Sequence, residues 1–218
     1  MNEPPPRAPL GLIHWILDMD AGPSPEDRER VLAVLLDAGL ESLQLRGVGA
    51  STAELVRVGR PLRDAALGRA QFVVNRDVEA AIALDADGVH LAAAGLDPAA
   101  ARDRVPRGIR LGASAHDLAE VHRARGLDWL FVSPVFRTAS KPDAVPLQAE
   151  GLRRLVAEAD APVYALGGVT RHNAAECLAA GATGTAAIRG LMPPEGIPWL
   201  ESVRARHPPA GPGGGAPS

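Results

Sequence analysis

Short apolar runs alternate with longer stretches in which apolar residues return every three or four positions. Residues 12–17 form a compact run that predicts a first strand. Val31, Leu32, Leu35 and Leu36 then line one face of a helix. Ser24 is placed to cap that helix and Pro25 to open it. Gly39 falls where a helix ends, since left-handed backbone is cheap only for Gly. A second run at 42–45 precedes Ser51 and Glu54, spaced as a capping box for a helix that Pro61 is expected to kink. Further strands are predicted at 71–74, 88–91, 109–112, 129–132, 163–166 and 184–188. Several are entered in one style, as at Asp37-Ala38-Gly39-Leu40 and Ala180-Gly181-Ala182-Thr183, where a helix stop is followed at once by a strand. Eight strands alternating with helices in about 200 residues predict an α/β fold, a single-domain (β/α)8 TIM barrel over 12–206. A doubly wound sheet is the competitor. It wants a Gly-x-Gly-x-x-Gly turn after an early strand, and the sequence has none.

Composition narrows the class. Of the 218 residues 46% are hydrophobic and 22% charged, as in ordinary globular chains. Aromatics are only 3%, so Ala, Val and Leu are expected to build the core. Net charge is −3 without a basic run, which argues against nucleic acid as a partner. The lone cysteine, Cys177, excludes an internal disulfide and a Cys-based zinc site, and reads as a packing residue. No apolar stretch reaches the roughly 20 residues of a membrane helix, and the N-terminus lacks a signal-peptide pattern. The expected location is the cytoplasm, with no membrane partner. Segments 1–11 and 207–218, rich in Pro and Gly, read as a disordered arm and tail.

In a parallel barrel every strand ends on the face that carries the chemistry. Gln44 and Arg46 end the second strand, Asn75 the third, His90 the fourth and Ser114 the fifth. The sixth runs into Arg137-Thr138-Ala139-Ser140-Lys141, two hydroxyls and two cations suited to phosphate or pyrophosphate oxygens. Gly167-Gly168 follows the seventh strand and Ile188-Arg189 the eighth. In many barrels these last two loops hold a phosphate with backbone N–H groups and a helix start. A single His is more often a structural hydrogen-bonder than a catalyst, which tempers His90. His14, His116, His122, His172 and His207 carry weaker claims still.

These segments together resemble the thiamine phosphate synthase/TenI superfamily: Gln44-Leu45-Arg46, Asn75, Asp87-Gly88-Val89-His90, Ser114-Ala115-His116, Ser133-Pro134-Val135-Phe136 with Thr138 to Lys141, and Ala165-Leu166-Gly167-Gly168-Val169. The resemblance spans the whole expected barrel. In synthases of that family a thiazole phosphate is alkylated by a pyrimidine diphosphate. Pyrophosphate leaves, a pyrimidine cation forms, and the thiazole nitrogen attacks it. The resemblance implies that Gln44, Arg46 and Asn75 contact the pyrimidine or its pyrophosphate; Arg76 and His90 are counted with the substrate- and phosphate-binding candidates. Ser114, Thr138, Ser140 and Lys141 would hold pyrophosphate. Gly167, Gly168, Ile188 and Arg189 would take the thiazole phosphate. The catalytic set is thus Arg46, Asn75, Ser114 and Lys141.

The departures fall on the metal. Synthases have a lysine where this chain has Val48, and magnesium carboxylates where it has Arg76 and Gly95. Asp77 and Asp97 lie close by as weak metal candidates. Arg76 either supplies fixed positive charge in the metal's place or points to solvent. The TenI branch tolerates loss of these ligands, but its proton-transferring histidine aligns with Pro134. Three readings follow. The first is a TenI-like barrel that acts on or binds a thiazole phosphate in thiamine biosynthesis or salvage. The second is an active synthase with magnesium, and the third a non-catalytic binder of thiazole or thiamine phosphate. The partners are small phosphorylated thiazoles or pyrimidines, and a homo-oligomer is compatible with each reading.

Overall fold

The computed structural model describes residues 10–92 and 97–206. Eight strands run parallel and close on themselves in chain order. They are β1 (Ile13–Asp18), β2 (Ser42–Arg46), β3 (Gln71–Asn75), β4 (Gly88–Leu91), β5 (Arg110–Ala115), β6 (Trp129–Val132), β7 (Val163–Leu166) and β8 (Gly184–Ala187). The helices are α1 (Arg28–Asp37), α2 (Thr52–Ala66), α3 (Val78–Ala83), α4 (Pro98–Arg104), α5 (Leu118–Arg123), α6 (Gln148–Glu158), α7 (Ala174–Ala179) and α8 (Gly196–Arg206). The chain is therefore the (β/α)8 barrel that its periodicity predicts. β8 pairs with β1 through Ile13 opposite Thr185, which closes the ring and leaves no open edge.

Alternation along each strand separates two cores. Trp15, Leu17, Leu43, Leu45, Phe72 and Val74 belong to the large cluster between barrel and helices. Ile16, Val73, Trp129, Phe131, Tyr164 and Ala186 form a second cluster, inside the barrel. Ala, Val and Leu do build most of the outer core, but the interior rests on the scarce aromatics. Trp129 fits because Gly88 and Gly112 carry no side chain: a Cβ on Gly112 would lie 2.0 Å from the indole. Leu10 is buried with this inner cluster, and the Tyr164 hydroxyl donates to its carbonyl at 2.7 Å. Of the expected arm only Leu10 and Gly11 are described; 1–9 and the tail 207–218 lie outside the described residues.

Local signals hold in part. The Ser51 hydroxyl accepts the Glu54 N–H at 3.2 Å and caps α2. That helix runs through Pro61 as one element. Gly39 takes φ +102 just past α1. The start of α1 differs from expectation: residues 25–27 form a turn, and the helix opens at Arg28. Ser24 spends its hydroxyl on the Asp27 carboxylate at 3.0 Å rather than on a helical N–H.

Candidate active site

The C-terminal ends of the strands surround a cavity of about 1320 Å³. Its wall includes Gln44, Arg46, Asn75, Arg76, His90, Ser114, Thr138, Ser140, Lys141, Gly167, Gly168, Ile188 and Arg189. Asp77 also lines it, and Asp97 does not. Strand geometry explains the convergence. Gln44 and Arg46, two apart on β2, face inward together, and each strand offers its last inward positions to the same space.

The floor is polar and partly unsatisfied. Gln44 is 2% exposed and donates Nε2–H to Asn75 Oδ1 at 3.3 Å, while its own Oε1 is buried without a partner. An acceptor in that state costs stability unless a ligand donor meets it. His90 is buried beside them. The Trp129 indole N–H donates to His90 Nδ1 at 3.2 Å, so the ring proton sits on Nε2 and is shared with the Ser114 hydroxyl at 2.9 Å. Ser114 is thereby left to donate its own O–H toward the cavity. Burial, together with the charge of Arg76, pulls the His90 pKa down to about 3, so the ring is neutral at pH 7.

The rim is cationic. Arg46 pairs with the Asp18 carboxylate, which is 2% exposed and also accepts the N–H groups of Asp20 and Ala21 at 2.9 and 3.0 Å. Burial and the neighbouring Arg76 hold the Arg46 pKa below its usual value. Among the described residues Arg76, Arg104, Arg137 and Arg189 line the cavity without an ion pair. Gly167 and Gly168 take φ +89 and +68, and Gly168 packs so tightly that a Cβ would lie 2.4 Å from the Arg137 carbonyl oxygen. These glycines therefore lock the loop after β6 onto the loop after β7. The expected helix start after β8 is a single 3-10 turn at Arg189–Leu191.

A strand-end cavity of this make-up agrees with the comparisons with known proteins. The thiamine monophosphate synthase family model matches residues 15–191. The chain belongs to this family. It is 35% identical over 188 residues to thiamine-phosphate synthase of Chloroflexus aurantiacus, covering 83% of this chain and 87% of that one. Thiamine-phosphate synthase of Archaeoglobus fulgidus is 36% identical over 184 residues, with 82% and 84% covered. Among solved structures, thiamine phosphate pyrophosphorylase from Pyrococcus furiosus superposes with a TM-score of 0.76 at 32% identity, over 88% of this chain and 93% of that one.

Among the described residues, the donors at the expected metal positions do not fit magnesium. Arg76 stands at one expected carboxylate position, in left-handed backbone with φ +66. Asp77 spends both oxygens within the protein: Oδ1 accepts the Ala80 N–H at 2.7 Å and Oδ2 the Thr52 hydroxyl at 2.7 Å. Asp97 caps α4 through Ala99 and Ala100 at 3.0 and 3.1 Å. Gly95 lies outside the described residues.

Asp18 and Glu120, both on the cavity wall, escaped the sequence reading, and His116 carried only a weak claim in it. Asp18 closes the first apolar run, where only the strand-end rule could have marked it. His116 and Glu120 sit at the mouth, bonded through Nδ1 and Oε2 at 2.7 Å. Asp117-x-x-Glu120 signals a capping box, and Asp117 does cap α5. Glu120 turns instead to the imidazole, which only the fold reveals.

Proposed function

We propose that this barrel is a TenI-like member of the family that binds a thiazole phosphate, in thiamine biosynthesis or salvage, without needing magnesium. One observation carries the reading. A glycine pair and a cationic rim of Arg46, Arg76, Arg137, Lys141 and Arg189 surround a floor whose Gln44 Oε1 awaits a donor. The rim suits phosphate oxygens, since charge-assisted hydrogen bonds are about twice as strong as neutral ones. Gly167 and Gly168 let backbone N–H groups approach a phosphate closely. Arg76 supplies fixed positive charge where synthases of the family place a metal carboxylate. His90 acts on ligand through Ser114, because both of its nitrogens are engaged within the protein.

A second reading, thiamine phosphate synthase activity, is favoured by the names of the relatives and by the retained Arg46, Ser114, Thr138, Ser140 and Lys141. Departing pyrophosphate would then be stabilised by these side chains. Calorimetry with the thiazole phosphate, with and without a chelator, tests the first reading; binding that survives chelation is expected. No binding of thiazole phosphate in either condition would sink it. Product formed from thiazole phosphate and pyrimidine diphosphate at synthase rates, and abolished by chelation, would select the second.

A further inference from the structure

We propose that His116, held by Glu120, is a positioning residue that presents the Lys141 ammonium to phosphate oxygens in the cavity. This rests on the phosphate-binding reading above. The loop from β6 to α6 carries Thr138, Ser140 and Lys141, and Lys141 is exposed at its crest. Among the described residues, the other hydrogen bonds of 138–145 stay inside the loop, from Ser140 and Lys141 to Thr138 and from Ala144 to Lys141. The tie from this crest to the barrel is Lys141 Nζ to His116 Nε2, at 2.8 Å.

The proton arrangement on that ring follows from its partners. Glu120 Oε2 accepts the His116 backbone N–H at 2.8 Å and meets ring Nδ1 at 2.7 Å. A carboxylate only accepts, so Nδ1 carries the proton and Nε2 offers a lone pair. Lys141 then donates. The other Glu120 oxygen is 3.8 Å from Arg123, which steadies the carboxylate. An ammonium has three donors, and His116 takes one, leaving two for a ligand. Lysine has a long flexible stem, and fixing it before binding lowers the ordering cost of meeting an anion. His116, Glu120 and Lys141 all line the cavity, so the latched ammonium stands at the site itself.

The test is a double-mutant cycle on the full chain, with inorganic pyrophosphate as the probe and calorimetry as the readout. His116→Ala should weaken binding about five-fold, the scale of one net hydrogen bond. Lys141→Ala should weaken it on the order of ten-fold or more. His116→Ala should then cost nothing further in the Lys141→Ala background. His116→Gln, whose Oε1 replaces the Nε2 acceptor, should bind within about two-fold of wild type. Undiminished binding by His116→Ala overturns the proposal, as does an equal loss without Lys141 or a Gln variant that fails to rescue. Wild type that ignores pyrophosphate but binds thiazole phosphate moves the same cycle to thiazole phosphate as the probe, and wild type that binds neither strikes the phosphate-binding reading instead. In that event the imidazole 15N resonances decide this one: protonated Nδ1, with a bare Nε2 that shifts in Lys141→Ala, supports it, and protonated Nε2 overturns it.

Discussion

Asp18 and the two interior histidines show how much single residues in this barrel carry. The Asp18 carboxylate joins the loop after β1 to the cavity's Arg46, through two backbone N–H groups and one guanidinium. Asp18→Ala removes a buried acceptor and leaves Arg46 unpaired. A loss of about 3 kcal/mol is expected in denaturant unfolding, together with weaker anion binding. His14 and His90 are buried neutral, each with a pKa lowered from 6.5 to about 3 chiefly by desolvation. The unfolded chain takes up these protons below pH 6.5 and the folded chain does not. Stability is therefore full above pH 6.5 and is lost as pH falls from 6.5 toward 3. Each ring contributes a slope approaching about 1.4 kcal/mol per pH unit. Most of the window from 6.5 to 5 lies above carboxylate titration, so unfolding measured there should flatten markedly in His14→Phe.

At the scale of elements, the loops after β6 and β7 act as one unit. Gly168→Ala would place a Cβ 2.4 Å from the Arg137 oxygen at φ +68, so the β6 loop must shift. We expect about 2–3 kcal/mol of destabilisation and loss of phosphate affinity. Gly126→Ala, with φ +81 and open space, should cost only about 1 kcal/mol and leave binding intact. Thermal unfolding and phosphate titration of the pair separate strain from collision. Sequence signals at this scale were uneven. The Ser51 cap was legible because its partner is three residues away. The Ser24 cap was not realised, because the chain makes a turn at 25–27 before α1. The tie from Lys141 to His116 spans 25 residues and has no local signature.

For the whole molecule, the position of Arg76 turns family membership into a question about metal. Arg76→Asp restores one expected magnesium carboxylate, and with Gly95→Asp the second. If the cavity otherwise retains synthase geometry, product formation should become magnesium-dependent, read in a coupled assay with and without chelator. Loss of one such electrostatic group typically costs on the order of 10²–10³ in rate. Wild type turning over like a synthase with bound magnesium would show that other donors serve. Sequence by itself determined the barrel, since strand and helix periods are local and eight alternations admit few closed folds. It also marked the strand ends, because a parallel barrel sends them all to one face. Only the tertiary structure decided which groups are already engaged. Asp77 and Asp97 cap helices, His90 is held between Trp129 and Ser114, and Asp18 and Glu120 face Arg46 and His116. A side chain's chemistry is set by its partners in space, and these partners lie on other strands and loops.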